Sequence, residues 1–451
     1  MLVKTLLTQA ALAAVLVLLS GTTHAIDLMD SYQKALQADP SFRAAGEALA
    51  AGREKTVQGR ALLLPQVALT GSYSHINDRS EANLPPAAAG LIQSESSGNV
   101  HQAAVKFTQP IYDASAMANR KQLHQQTELA EISYRNARQE LIQRVSEAYF
   151  NVLLAQETLR VVQAEQNAVL MQRDRAQARF DVGRGKITDL QEAQARYDSV
   201  LARAVSAEST LALRQAQYEE LTGVRAEGLA DLRPGFAPVP PQPDSLQAWQ
   251  LRGRDSNVRV LAKQREIAIA TAEIDKYKLS GRPTVDLVAS YTNKGQDGNL
   301  SPTVAPDRSR SSVIGVQVNI PLFAGGGISS RQRESLAKRR QAEEELSAVQ
   351  RDTRLQVQDA YLAVKTGVAR IAALAQSLVS AQTALEATTL GRDVGTRTEL
   401  DVLDAQQRVF TAQLDLAQAR NDYLLGRIRL AAAVGELQET DLQALNAYLG
   451  S

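Results

Sequence analysis

Two carboxylates carry the most suggestive chemistry in this chain. Asp401 and Asp404 stand three residues apart in GRDVGTRTELDVLDA, residues 391–405, just inside the start of a helical pattern. That spacing puts both side chains on one helix face, where paired negative charges draw cations. The same acids have a plainer use: first-turn carboxylates offset the helix dipole, and Thr398-x-x-Asp401 has the form of a capping box. An earlier copy of the stretch reads ARFDVGRGKITDLQEA over residues 178–193. A shift of 212 residues lays Val182-Gly183 on Val394-Gly395, Asp189 on Asp401, Glu192 on Asp404 and Gly223 on Gly435. It also lays Ala148-Tyr149 on Ala360-Tyr361. An internal duplication follows.

Other chemistry is poorly provided for. Beyond His24 the histidines are His75, His101 and His124, and no H-E-x-x-H, G-x-S-x-G or phosphate-loop pattern occurs. Residues 325–327 are glycines before a helical pattern, without the dinucleotide fingerprint, and read as a tight turn from strand to helix. The reading is of a protein that is not an enzyme and needs no cofactor or metal. Cysteine is absent, which suits an oxidising compartment and excludes the lipid-carrying cysteine of bacterial lipoproteins.

Residues 1–25 carry one charge, Lys4, then an apolar run over 6–19 and small residues near Ala25. This is the pattern of a secretory signal cut after Ala25, with a run short for a membrane span. Removing it takes one lysine and no acid, so 50 − 1 basic residues meet 49 acidic ones and the net charge falls to 0. No basic excess exists to attract nucleic acid. The remaining 451 − 25 = 426 residues would suffice for two or three globular domains. Yet 44% hydrophobic residues with only 4% aromatic ones favour close helix packing over a long interface.

The positioning elements repeat. The first repeat, 26–223, reads as a helix over 27–62 interrupted at Pro40, strands at 65–75 and 102–111, a long helix over 113–182 and a return helix over 188–221. The long pattern holds no proline or glycine, with apolar residues at Leu141, Val145, Tyr149, Val152, Leu159 and Val162. At ~1.5 Å per residue its roughly 70 residues span about 105 Å, and two helices of roughly 35 residues match it end to end. The second repeat, 246–435, has a helix over 246–279, strands at 284–292 and 312–322, a long helix over 327–394 and a return helix over 398–434. A Pro-rich linker, 224–245, is expected to wrap the outside, and residues 436–451 form a C-terminal segment.

The strands alternate. Val67, Leu69, Gly71 and Tyr73 share one face, as do Ala103, Val105 and Phe107, then Val285, Leu287, Ala289 and Tyr291, then Ile314, Val316, Val318 and Ile320. A single hairpin of this kind would be read as packed on a helix. Four of these strands behind a secretory signal fit a membrane barrel wall better. Four strands cannot close a barrel, and lipid does not tolerate open edges, so the chain must oligomerise; three copies give twelve strands. The polar stretches 76–98 and 293–310 read as exposed outer loops.

Seven motifs now carry a resemblance: LLLPQ at 62–66, TQPIYD at 108–113, AYFNVL at 148–153, RFDVG at 179–183, ITD at 187–189, NIPLFAGG at 319–326 and VGTRT with DVLDA over 394–405. In this order, across a duplicated frame, the chain resembles the TolC family of outer-membrane exit channels over its mature length. The resemblance implies a mixed α and β membrane protein of a Gram-negative bacterium: a homotrimer whose twelve-stranded β-barrel, four strands per chain, sits in outer-membrane lipid. A long periplasmic α-helical barrel continues it, closed at the inner end by coiled helices. The implied partners are a periplasmic adaptor protein and an inner-membrane transporter of the ABC or RND type, with no nucleic acid, and the cargo is drugs or proteins. A missing lipid-bearing cysteine favours the general-purpose branch over the lipoprotein efflux branch.

By position, Asp401 and Asp404 match the family's acidic pair at the periplasmic entrance. Arg397 matches the arginine that holds the tip closed against Thr188 and Asp189. Arg392 stands where the family pattern has a tyrosine; it either makes a charged contact to Asp189 or is a solvated face residue. Glu192 is a candidate further tip acid, and Gly183, Gly185, Gly395 and Thr396 mark the turns that reach the adaptor. The rival reading from another class is a periplasmic or secreted coiled-coil scaffold without a pore.

Overall fold

The computed structural model describes residues 25–79, 95–233, 235–300 and 307–450. The expected secretory signal, 1–25, apart from Ala25, and the middles of the two expected outer loops, 80–94 and 301–306, lie outside the described residues. In chain order the helices and strands are α1 Leu28–Ala38, α2 Pro40–Ala61, β1 Gln66–Arg79, β2 Glu95–Tyr112, α3 Ala114–Asp181 and α4 Ile187–Thr222. The second repeat supplies α5 Leu246–Ser256, α6 Val258–Leu279, β3 Thr284–Asn299, β4 Arg308–Asn319, α7 Gly327–Asp393 and α8 Glu399–Val434, with α9 Glu439–Asn446 after it. Helix lengths repeat: 11, 22, 68 and 36 residues in the first copy against 11, 22, 67 and 36 in the second.

The break between α1 and α2 falls at Pro40, whose missing N–H is harmless in a first turn. Asp39 caps α2 by accepting from Phe42 N at 3.0 Å, and Arg144 donates to the same carboxylate at 2.5 Å. In the second repeat the single helix expected over 246–279 is likewise two. No proline marks the break there. Asn257 ends α5 and starts α6, its Oδ1 accepting from Arg259 N at 2.9 Å and Val260 N at 3.3 Å.

The strands form one antiparallel sheet in the order β1-β2-β3-β4. Partners across an antiparallel ladder point the same way, so register decides the faces. Val67 pairs with Phe107 and Leu69 with Val105; Phe107 pairs with Ala289 and Val105 with Tyr291; Ala289 pairs with Ile314 and Leu287 with Val316. These residues share one apolar face, while Thr70, Lys106 and Ser290 lie on the other. The outer loops are shorter than their polarity suggests. β1 continues to Arg79 opposite Glu95, and β3 to Asn299, so residues 76–79, 95–98, 293–299 and 308–310 are strand rather than loop. The main-chain ladder needs no apolar side chain, so pairing outlasts the alternation, and an Arg79–Glu95 ion pair joins the far ends.

The chain divides into two compact units, each drawing on both repeats. The first comprises Met1–Gly46, Tyr134–Val260 and Gln350–Ser451. Its core gathers Leu28, Tyr32, Leu141, Ile142, Tyr149, Tyr218, Leu424 and Ile428, all nearly inaccessible. Asp27 and Leu28 are joined to α9, because Leu28 N donates to Asn446 Oδ1 at 3.1 Å and Asn446 Nδ2 donates to Asp27 Oδ2 at 2.8 Å. The Pro-rich linker is largely exposed, as its composition implies, and is pinned to this core at a few points. Ala226 and Ala230 are buried in it and Phe236 stacks near Tyr423 and Tyr448. Tyrosines satisfy its backbone: Tyr149 Oη donates to Ala230 O at 2.9 Å, and Val239 N donates to Tyr423 Oη at 2.8 Å. The duplicated tyrosines hold its two ends, since Tyr361 donates to Asp244.

The second unit comprises Glu47–Ser133 and Leu261–Val349 and contains the sheet. Here α2 lies close against α3. A Cβ at Gly59 would sit 3.4 Å from Arg120 Cα, and one at Gly52 would run into Ala130 Cβ. Thr127 Oγ1 closes the seam by donating to Gly52 O at 2.9 Å. A side chain at Gly52 therefore forces the helices apart, whereas Gly46 has nothing within 4 Å. Gly52→Leu is expected to cost about 1–3 kcal/mol by overpacking, while Gly46→Ala is neutral or stabilising by up to about 1 kcal/mol. Denaturation midpoints of the two variants check this, and equal midpoints would refute the close seam.

Candidate functional site

The turns between α3 and α4 and between α7 and α8 repeat one design. Gly183 and Gly395 adopt φ of 72° and 79°, the left-handed region that ends helices without steric cost to glycine. Arg184 N donates to Arg179 O at 2.8 Å, and Thr396 N donates to Gly391 O at 2.8 Å. Each turn brings two positions into contact, and one of them is always glycine. A Cβ at Gly185 would lie 3.1 Å from Arg179 Cβ, and one at Gly391 would lie 2.8 Å from Arg397 Cγ. The copies thus exchange which side of the turn carries the arginine. In the first, Arg179 is free to reach outward; in the second, Arg397 lies across the turn.

Both readings of Asp401 are compatible with its surroundings. Its Oδ2 accepts from Thr398 N at 2.8 Å and Thr398 Oγ1 at 2.9 Å, and its own N–H donates to Thr398 Oγ1 at 3.2 Å, a complete capping box. The bond from the Thr398 backbone, then that from its hydroxyl, holds the carboxyl below the usual carboxylate range. The cap therefore keeps Asp401 charged rather than removing its charge. Asp404 accepts from Arg196 of α4 at 2.8 Å. The i, i+3 pair shares a helix but not a partner.

The remaining positions separate. Thr188 Oγ1 lies 3.5 Å from Asp189 Oδ1. Among the described residues of one protomer, Arg397 makes no hydrogen bond to either of them. Arg392 is neither a partner of Asp189 nor solvated. Its guanidinium is 10% exposed and donates to Asp393 at 2.6 Å and to Glu399 at 3.5 Å. Glu192 and Thr396 are exposed, as are Gly183 and Gly395, and Gly185 is half-buried.

The centre of the tip is a residue that the motifs do not flag. Glu399, 9% exposed, accepts from Arg392 at 3.5 Å and from Arg179 at 3.3 Å. Arg179 closes α3 in the first repeat, and Glu399 opens α8 in the second. With Arg196 to Asp404, two ion pairs join the repeats at this end. A signal exists in the duplication: the shift of 212 residues lays Arg392 on Phe180 and Glu399 on Ile187, so an aromatic and aliphatic pair in one copy is a charged pair in the other. The site contains no nucleophile with an adjacent base, so its chemistry is that of placed charge.

The sequence profile described as outer membrane efflux protein matches residues 31–224 and 250–436. Outer membrane protein TolC of Vibrio cholerae serotype O1 is 31% identical over 437 residues, which cover 97% of this chain and 97% of that protein. The alkaline protease secretion protein AprF of Pseudomonas aeruginosa is 30% identical over 438 residues, covering 96% and 89%. Among solved structures, the CmeC outer membrane channel of Campylobacter jejuni superposes with a TM-score of 0.76 at 16% identity over 94% of this chain and 90% of that one. VceC of Vibrio cholerae gives 0.74 at 18% identity over 90% and 96%. At these identities the structural likeness is one of fold.

Replacing Glu399 by Gln leaves Arg179 and Arg392 close together without their carboxylate. The expected loss is about 1–2 kcal/mol of local stability, read as roughly tenfold faster amide hydrogen exchange around residues 391–399. Unchanged exchange would show that the pair does not hold the turn.

Proposed function

The chain belongs to the outer membrane efflux protein family, and from that membership we propose that three copies close a twelve-stranded barrel whose periplasmic tip is gated by the charges described above. The protein is an outer-membrane exit duct of the efflux or type I secretion kind, with its sheet in the outer membrane and its helices extending into the periplasm. One observation carries the trimer: the sheet has an apolar face, yet β1 and β4 each pair on one side only. Unpaired edges in hydrocarbon cost several kcal/mol per group, and further copies of the same four strands remove them. The helices support this, since α4 exposes Val205 and Leu213 and α7 exposes Leu355, Val379 and Leu390. An 18-residue window of α7 is apolar enough to cross a membrane but only 11% buried, as expected of a helix that neighbouring copies cover. A poreless scaffold gives no account of the sheet.

At the tip, three copies bring six carboxylates from Asp401 and Asp404 toward one axis, a negative constriction that admits cations before anions. Arg196 offsets part of that charge by pairing with Asp404. Arg397, which makes no side-chain hydrogen bond or ion pair among the described residues, is placed to bind Thr188 and Asp189 of a neighbouring copy, a fork gripping a hydroxyl and a carboxylate together. The turns at Gly183, Gly185, Gly395 and Thr396 are the surface offered to a periplasmic adaptor, which links the duct to an inner-membrane transporter.

Planar-bilayer recordings test this gate. Asp401→Ala with Asp404→Ala is expected to lower cation selectivity and weaken block by trivalent cations, while Arg196→Gln, which frees Asp404, shifts both the other way. Selectivity indifferent to all three substitutions would place the ring elsewhere. Arg397→Ser is expected to raise single-channel conductance by loosening the tip, and conductance equal to that of the unsubstituted protein would remove Arg397 as a latch.

A further inference from the structure

A cavity of about 380 Å³ lies where α2 ends and α3 begins, lined by Arg60, Leu63, Met117, Arg120, Lys121 and His124. Arg60 comes six residues before β1, and Met117 five residues after β2. The close seam of Gly59 against Arg120 draws these basic groups around one mouth. The side chains of Arg60, Arg120 and Lys121 make no hydrogen bond or ion pair among the described residues. The nearby acids are committed elsewhere: Asp113 caps α3 by accepting from Ala116 N at 2.9 Å, and Glu128 takes His124 at 3.3 Å and Arg265 at 2.8 Å.

Uncompensated cations gathered on one rim repel each other, and an anion relieves that repulsion. The apolar walls, Leu63 and a Met117 that is 47% exposed, describe the rest of the ligand: it carries hydrocarbon beside its charge. Depth agrees. At ~1.5 Å per residue, Arg120 and Lys121 lie about 10 Å beyond the start of α3, and long basic side chains snorkel back toward a membrane surface. Reaching back in this way brings their charged ends to the headgroups, which occupy about 5–7 Å on each side of the hydrocarbon. The band continues on the other helix pair, where Lys276, Lys278 and Arg282 precede β3 and Arg331 and Arg333 follow β4, with Arg331 5.9 Å from the Tyr277 ring centre.

We propose that the Arg60–Arg120–Lys121 cavity binds the phosphate of an anionic phospholipid, of the phosphatidylglycerol type, in the periplasmic leaflet of the outer membrane. The site rests on the reading that the sheet lies in that membrane. The two guanidinium groups fork onto the phosphate oxygens and Lys121 adds a point charge. Leu63 and Met117 receive the start of the acyl chains. His124, held by Glu128, borders the mouth.

The test uses the full-length protein in neutral detergent, titrated with dioctanoyl phosphatidylglycerol, dioctanoyl phosphatidylcholine and glycerol 3-phosphate, with bound lipid counted by native mass spectrometry. The unsubstituted protein is expected to bind phosphatidylglycerol at least about tenfold more tightly than phosphatidylcholine, since each basic group near an anionic surface contributes roughly fivefold. Arg60→Gln with Arg120→Gln and Lys121→Gln should abolish that preference, whereas Arg184→Gln with Arg214→Gln and Arg354→Gln, which removes equal charge elsewhere, should keep it. Equal loss in both triple variants, or no loss in the first, overturns the site. Glycerol 3-phosphate binding as tightly as the lipid overturns the lipid and assigns a soluble anion. Insertion into neutral phosphatidylcholine liposomes reads the sheet alone, so a lost site with intact insertion leaves the membrane reading standing.

Discussion

The backbone at the edges of the sheet dictates most of what this chain must be. β1 and β4 each leave a row of N–H and C=O groups facing outward, and hydrocarbon offers them nothing. The chain is therefore a sector of a closed object rather than an object itself. Its other peculiarities follow from that incompleteness. Helices expose apolar ridges that a monomer would bury, small residues bring helix axes together, and a duplicated hairpin doubles the wall that each copy supplies. Neither repeat forms a unit of its own, because both compact units take helices from each.

At the tip the same economy of parts is applied to charge. Asp401 serves as a helix cap and keeps its negative charge because the cap donates to it. Asp404 shares its charge with Arg196, and Glu399 sits between two arginines. Of the three acids on the first turns of α8, one is sequestered, one is balanced and one is held ionised. The copies diverged here by coordinated replacement. Phe180 and Ile187 became, or came from, Arg392 and Glu399, and the arginine beside each turn changed sides with its glycine. The two tips of one protomer are thus alike in backbone and unlike in electrostatics.

What the sequence revealed divides along local and distant physics. The duplication, the barrel face and the capping box were legible, since each is a matter of spacing along the chain: Val67 and Leu69 alternate, and Thr398 and Asp401 are a turn apart. The partner of Arg392 was not, because a family pattern pointed to Asp189 while Glu399 sat nearby as an unremarked first-turn acid. The division at Asn257 was hidden because an Asx cap replaces the proline that marks the same break at Pro40. The linker was legible in part. Its prolines predict the exposure that most of it shows, but Ala230 and Val239 are held by tyrosines from distant helices, and that pairing is written in residues 149 and 423 rather than in the linker. The outer loops were overdrawn because pairing of the main chain outlasts apolar alternation.

The contact of Asp27 and Leu28 with α9 has a bearing on biogenesis. Leu28 bonds to Asn446, 418 residues away, and Leu28 and Tyr32 belong to a core completed by Leu442 and Leu445. A polypeptide threaded across the inner membrane with its amino end leading presents its first helix long before the last has arrived. The first repeat supplies Leu141, Tyr149 and Tyr218 to that core, and Ser31 bonds to Tyr218, but the side that Leu442 and Leu445 cover waits for the chain's end. That core is complete only when the last helix is in place. A chain cut short at its end is thereby left with a gap at its beginning.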